Sequence, residues 1–303
     1  MYIKSSSNYE TTLLLQAANH KELVVIISDT QGEFCLSAFQ KEYPNQYVVC
    51  AEDKILARAI DMAEQGMVPF VFFPEKRAND ENLKLLQKIS HFKLLIRIIS
   101  IYVNENHNNP YADWSQHIFS QICLIPDMTI IYPADEVEAR LAIDSTFCYH
   151  KPVCLCLCES PMPVIHKEFF EFQVGKGEII RYGKDVAVIS SGNLVNESIN
   201  ISNRLAKKGI DVMVISMATV NPLDKLLIVE AAEKCKIIVT LENCASNGGL
   251  GERVFDLLSK QSQTPIWRIS GDGEISPLGS YKKHFHLSSE CIMKVIENLY
   301  NTY

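Results

Sequence analysis

Tyr47-Val48-Val49-Cys50-Ala51-Glu52-Asp53-Lys54 runs directly into Ile55-Leu56-Ala57-Arg58-Ala59-Ile60-Asp61-Met62-Ala63. A short apolar run meets a stretch whose apolar residues recur at helical spacing, so a strand feeds an amphipathic helix. One carboxylate, Glu52, stands at the junction. Helix N-termini welcome an acid on structural grounds alone, through their free N–H groups and the dipole. The same alternation extends outward from this point. Apolar runs fall at residues 23–27, 46–50, 68–73, 94–103, 128–132 and 153–158, with helical patterns at 9–18, 54–65, 82–91, 114–123 and 136–147 between them. Strands apolar throughout and separated by helices predict a mostly parallel sheet covered on both faces.

Pro161-Met162-Pro163 breaks the pattern, and residues 169–174 lead to Gly175-Lys176-Gly177. Beyond it, runs at 186–190, 211–216, 237–241 and 266–269 alternate with helical patterns at 193–208, 224–234, 249–261 and a last helix from Ser288. The expected fold class is α/β, with two doubly wound domains of which the second is smaller. The expected boundaries are residues 1–163, a linker over 164–175, and residues 176–303. The halves share a style but no internal repeat.

Composition narrows the classes. The chain has 303 residues, 47% of them hydrophobic and 21% charged, as in an ordinary globular protein long enough for two cores. A net charge of -7 argues against a nucleic-acid footprint. Met1-Tyr2-Ile3-Lys4 leads into Ser5-Ser6-Ser7-Asn8 without an apolar signal segment, and the run at 94–103 is broken by Arg97 and too short to span a bilayer. Ten scattered cysteines read as reduced thiols, so a cytoplasmic location is expected.

Further motifs follow in order. Asp29 lies just past the first run, and Pro126-Asp127-Met128-Thr129-Ile130-Ile131-Tyr132-Pro133-Ala134-Asp135 precedes a helix. Gly183-Lys184-Asp185-Val186, Asn221-Pro222-Leu223-Asp224 and Glu242 with Gly248-Gly249-Leu250-Gly251 complete the series. Together, at near-constant spacing over nearly the whole chain, they resemble the pyrimidine-binding and C-terminal domains of the transketolase family. That family reads roughly Ala-Glu-Gln before its helix, then Pro-Asn-Met-Thr-Val-Ile-x-Pro-Ala-Asp, Gly-Lys-Asp-Val, Lys-Pro-Leu-Asp and Gly-Gly-Leu-Gly.

The resemblance implies thiamine diphosphate as cofactor and Glu52 as the catalytic residue that hydrogen-bonds N1′ of its aminopyrimidine. Desolvation disfavours the ionised form of a buried glutamate and lets it share a proton there. Asp29 and Thr30 are the implied cofactor contacts on the turn after the first run, and Phe73 the implied aromatic stack. The family's second aromatic is absent from Phe72-Phe73-Pro74-Glu75-Lys76-Arg77, and Phe72 and Phe73 read equally well as core. The family's magnesium motif, Gly-Asp-Gly followed by Asn, belongs to a separate N-terminal domain. Gly271-Asp272-Gly273 here is a decoy, because its helix starts roughly fifteen residues too late for a phosphate-cradling turn. No metal site is therefore expected in this chain. It resembles the C-terminal subunit of a split transketolase, whose N-terminal partner holds the diphosphate and Mg²⁺, and an α2β2 tetramer is implied.

The substrate side departs from the family. Its Gly-x-Asp-Gly-x-Thr-His-Gln loop aligns with His107-Asn108-Asn109-Pro110-Tyr111-Ala112-Asp113-Trp114, which puts Asp113 where the phosphate-facing histidine belongs. Its Pro-Val-Tyr-x-Arg-Leu-x-Arg strand aligns with Pro152-Val153-Cys154-Leu155-Cys156-Leu157-Cys158-Glu159, with Cys156 and Glu159 at the arginine positions. Arginine grips phosphate bidentately, and acids repel it. His117, on the expected helix near Asp113, is a further candidate facing the substrate. Either the substrate is not a conventional sugar phosphate, or the pocket has lost its function.

The remaining residues favour structural readings. Cys154, Cys156 and Cys158 alternate on one strand face at roughly 7 Å spacing, which suits packing better than zinc. Cys244 reads as structural, and His284-Phe285-His286 as a solvated loop. Three readings stand: a transketolase-like subunit moving a two-carbon ketol unit between carbonyl substrates, a non-catalytic scaffold or regulatory paralogue, and the β-subunit of a 2-oxo-acid or acetoin dehydrogenase.

Overall fold

The computed structural model describes residues 5–29, 36–73, 80–102, 121–158, 162–167, 169–242, 248–270, 275–277 and 288–303. The chain divides into two compact units, Met1–Val174 and Gly175–Tyr303.

In the first unit, β1 (Leu23–Ser28), β2 (Tyr47–Cys50), β3 (Val68–Phe73), β4 (Arg97–Tyr102), β5 (Thr129–Ile131) and β6 (Val153–Cys158) lie in the order β5-β6-β4-β3-β1-β2. Every pairing in this set is parallel. Strands β1, β3, β5 and β6 are buried at every position, which agrees with their largely apolar content and with a sheet covered on both faces. Strand β2 pairs with β1 at one edge and is only half-buried. Helices α1 (Ser5–Asn19), α2 (Ser37–Glu42), α3 (Ile55–Glu64), α4 (Asp80–His91) and α5 (Glu136–Phe147) supply the cover. In α3 the buried residues Ile55, Leu56, Ala59 and Ile60 make one stripe at helical spacing. The helix expected over 114–123 lies largely outside the described residues.

Arg97 does not interrupt the apolar run it sits in. It opens β4 fully buried and donates Nε to Thr146 O at 2.7 Å, Nη1 to Lys151 O at 3.1 Å, and Nη2 to Phe147 O at 3.2 Å and Tyr149 O at 2.5 Å. A guanidinium offers five N–H groups in a fixed fork, which matches the carbonyls left open at the end of α5. Burial lowers its pKa to about 10.

The second unit carries β7 (Glu178–Arg181), β8 (Val186–Ser190), β9 (Val212–Ser216), β10 (Thr219–Asn221), β11 (Ile237–Glu242), β12 (Ile266–Ser270) and β13 (Ile275–Pro277), with its sheet in the order β13-β12-β11-β8-β9-β7. The strands β12, β11, β8 and β9 are parallel neighbours, and β7 and β13 close the edges antiparallel. Helices α6 (Leu194–Ala206), α7 (Lys225–Lys234), α8 (Leu250–Leu258) and α9 (Ser289–Thr302) pack on it. One core joins Val186, Val188, Val212, Val214, Val239, Ile201, Leu205 and Ile296.

The second-unit motifs have structural explanations. Asp185 accepts the Asp211 N–H at 2.9 Å and meets Lys236 Nζ at 3.2 Å, which ties together the starts of β8, β9 and β11. Asp224 caps α7 by accepting the Leu227 N–H at 3.2 Å. Glu242, buried at the end of β11, accepts the N–H groups of Leu250 at 2.7 Å and Gly251 at 3.1 Å. A Cβ at Gly249 would overlap Glu242 Oε2, and one at Gly251 would stand 2.6 Å from Arg268, so the glycines let the helix start sit on this carboxylate. No helix among the described residues is long and apolar enough to cross a membrane.

Candidate functional site

Glu52 owes its place to the way β2 ends. Ala51 is still extended, Glu52–Lys54 make one 3-10 turn, and α3 begins at Ile55. The turn closes through Lys54 N–H on Ala51 O at 2.9 Å. The carboxylate therefore stands at the carboxyl end of an edge strand and the amino end of a helix, where open parallel sheets place ligands. Glu52 is half-buried, and Ala51, Asp53 and Lys54 around it are exposed.

The next strand brings Asp29 to the same place. Asp29 N–H donates to Cys50 O at 3.0 Å, bridging the ends of β1 and β2 two residues before Glu52. Its side chain is exposed and accepts a long bond of 3.5 Å from Ser28 Oγ. Burial and the negative charge of Asp29 push the Cys50 thiol up, which keeps it protonated beside the two acids. On the other side of β1, Phe73 ends β3 and is buried in the sheet. The ends of β2, β1 and β3 thus bring Glu52, Asp29 and Phe73 to one stretch of the sheet's carboxyl edge.

Cys156 lies elsewhere. It is buried inside β6, opposite Ser100 of β4, and four strand positions from β2, or roughly 19 Å at about 4.8 Å per strand. Cys154 and Cys158 are buried with it. Thr30, Asp113, His117 and Glu159 lie outside the described residues, as do Cys244 and the Gly271-Asp272-Gly273 segment. Among the described residues no group of three or more His, Cys, Asp or Glu is placed to hold a metal ion.

One group had no signal in the sequence. His166, in the segment after β6, is buried against Asp135 and Glu138 at the start of α5. Thirty-one positions separate Asp135 from His166, and no spacing rule connects them.

Comparison with known proteins places this architecture. The profile of the transketolase C-terminal domain matches residues 175–292. A 6-deoxy-6-sulfo-D-fructose transketolase subunit of Clostridium sp. (strain MSTE9) is 26% identical over 296 residues, covering 94% of this chain and 91% of the relative. One of the subunits of an apulose-4-phosphate transketolase from Phocaeicola vulgatus is 27% identical, with 96% of each chain covered. A solved split-gene transketolase, described as an inactive β4 tetramer, shares the fold with a TM-score of 0.87 at 22% identity, over 99% of both chains.

Two doubly wound units in this order define an α/β chain of the transketolase type. Residues 175–292 carry a transketolase C-terminal domain, and the chain along nearly its whole length is similar to single subunits of split transketolases.

Proposed function

We propose that this chain is the pyrimidine-side subunit of a two-subunit, thiamine-diphosphate-dependent transferase that moves a two-carbon ketol unit between carbonyl substrates. The observation that carries the reading is the placement of Glu52 at the carboxyl end of β2 and the start of α3, next to Asp29. When bound, thiamine diphosphate supplies the carbanion-stabilising chemistry. The Glu52 carboxylate suits one end of it, the ring nitrogen N1′, where it would hold the proton. Asp29 and Thr30 would flank the cofactor, and Phe73 would back the sheet behind it.

The isolated chain leaves the surroundings of Glu52 open to water. A carboxylate shares a proton with a ring nitrogen best when water is excluded. A second polypeptide is required to cover Glu52 and to supply the anion and Mg²⁺ site. This agrees with relatives that are named as one subunit of a transketolase. The partner is thus an N-terminal transketolase-like subunit, with α2β2 assembly in the cytoplasm. Because Cys156 and Glu159 stand where the family has arginines, and Asp113 where it has histidine, the substrate is not a conventional sugar phosphate.

The test is affinity purification from the native cell, with mass spectrometry of what co-purifies in fixed ratio. A partner carrying Gly-Asp-Gly and a downstream Asn, with ketol transfer by the pair, supports the reading. A chain isolated alone, with no thiamine diphosphate binding, overturns it and leaves the non-catalytic paralogue.

A further inference from the structure

We propose that His166, Asp135 and Glu138 form a proton-operated latch that fastens the chain leaving the first unit to the amino end of α5. The inference is independent of Glu52. The latch stands at the end of β5, five strand positions from β2, or roughly 24 Å at about 4.8 Å per strand.

The side chains of His166 and Asp135 are fully shielded, and that of Glu138 nearly so. His166 Nδ1 lies 3.1 Å from Asp135 Oδ2, and Nε2 lies 3.7 Å from Glu138 Oε1. Each ring nitrogen therefore faces a carboxylate. Neutral imidazole carries a hydrogen on one nitrogen only, and imidazolium on both. Two shielded carboxylates on opposite sides of the ring select the cation, which also offsets their charge. The Phe170 ring, 4.3 Å away between centroids, covers the imidazole from its own segment. Glu136, also buried, is the neighbouring carboxylate on α5.

Asp135 gives this cluster a mechanical role. Its Oδ1 caps α5 by accepting the Glu138 N–H at 2.9 Å. Its Oδ2 accepts the N–H groups of Ile165 at 2.6 Å and His166 at 2.7 Å. Glu138 answers by accepting the Ala134 N–H at 2.7 Å, a variant of the capping box. One carboxylate thus binds the helix start and the departing chain together. Burial alone would raise the Asp135 pKa, but the His166 hydrogen bond and charge, with the main-chain donors, hold it below 3.8.

The signs define a window. Asp135 contributes above its ordinary value and is lost as pH falls through its lowered one. The imidazolium contributes fully below the ordinary histidine value of about 6.5. That contribution disappears as pH rises through the folded-state value. In between, the latch is closed and the segment at residues 165–166 is fastened to the start of α5; outside that window the fastening is lost.

The test uses the full chain with its histidines labelled with ¹⁵N, followed by NMR from pH 5 to 9. Hydrogen exchange of peptides covering 162–167 is measured at the same pH values and corrected for intrinsic rates. One of the eight histidines is expected to stay imidazolium at least one pH unit beyond the ordinary value. Protection at 165–166 should fall about tenfold or more as that ring loses its proton. Glu138→Gln should lower that titration point, and His166→Gln should remove the resonance and the pH-dependent step. If His166→Gln does not fold, the wild-type titration and Glu138→Gln decide. A ring already neutral at pH 6, or protection unchanged through its titration, overturns the proposal.

Discussion

Asp135 and Arg97 hold opposite ends of the same helix. Asp135 accepts the Glu138 N–H at the amino end of α5, and Arg97 donates to Thr146 O and Phe147 O at its carboxyl end. Both charged groups are buried, and each has the sign that the helix dipole favours at its end. Because the Arg97 partners are carbonyls, replacing it with methionine strands them without donors. Arg97→Met should destabilise the first unit by about 3–5 kcal/mol. Arg97→Lys should recover only part, since a point ammonium cannot reproduce the fork. Urea unfolding followed by far-UV circular dichroism, with the transition of the second unit assigned separately by Trp267 fluorescence in a Trp114→Phe background, measures this. A loss under about 1 kcal/mol would contradict the account.

Gly249 and Gly209 make a contrasting pair in the second unit. A Cβ at Gly249 would overlap Glu242 Oε2, whereas one at Gly209 would meet nothing within 4 Å, although Gly209 has a φ of +81°. Gly249→Ala should cost about 2–4 kcal/mol, because the buried carboxylate must give up its hold on α8. Gly209→Ala should cost only about 1 kcal/mol, from its backbone conformation. Trp267 fluorescence in a Trp114→Phe background reads the second unit, and equal costs would show that Glu242 does not need the close approach.

These two sites show what the sequence made legible. The strands of both sheets stand out because β1, β3, β6, β8 and β11 are buried along their length and are therefore mostly apolar. The family motifs stand out too, yet most of them prove to be fasteners: Asp135 and Asp224 cap helices, Asp185 ties strand starts, and Gly249 seats α8 on Glu242. Strand β7, with every residue half-buried, and the short helix α2, which buries only Phe39, show no clear periodicity in the sequence. Arg97 reads as a break in an apolar run because its partners are main-chain carbonyls, which leave no mark on side-chain patterning. His166 is hidden for the related reason that only the folded chain brings it to Asp135.

Asp185 predicts an acid limb of stability. Burial opposes its charge, but the Asp211 N–H and Lys236 outweigh it and hold the pKa below 3.8. Its contribution is therefore present above that value and lost as pH falls through the lowered one. Asp185→Asn keeps an acceptor for Asp211 but loses the pair with a largely exposed lysine, so at pH 7 it should cost about 1 kcal/mol. The melting temperatures of wild type and variant should converge between pH 5 and pH 2. A constant gap across that range would show that the charge of Asp185 contributes nothing.

Glu52 should separate stability from activity. It lies half-buried on a surface turn, and the helix it precedes buries Ile55, Leu56, Ala59 and Ile60. Glu52→Gln keeps the shape and removes the proton-sharing oxygen. In the isolated chain its unfolding free energy should stay within about 1 kcal/mol of wild type, as for most surface changes. In the complete two-subunit assembly ketol transfer should fall by a factor of about 10² or more, the scale of a lost general acid–base group. Steady-state turnover of the reconstituted pair, with the variant's assembly checked by light scattering, measures both effects. Turnover within a few-fold of wild type in a fully assembled variant would remove Glu52 from the chemistry. A variant that assembles normally but does not turn over would support the role of this carboxylate at N1′.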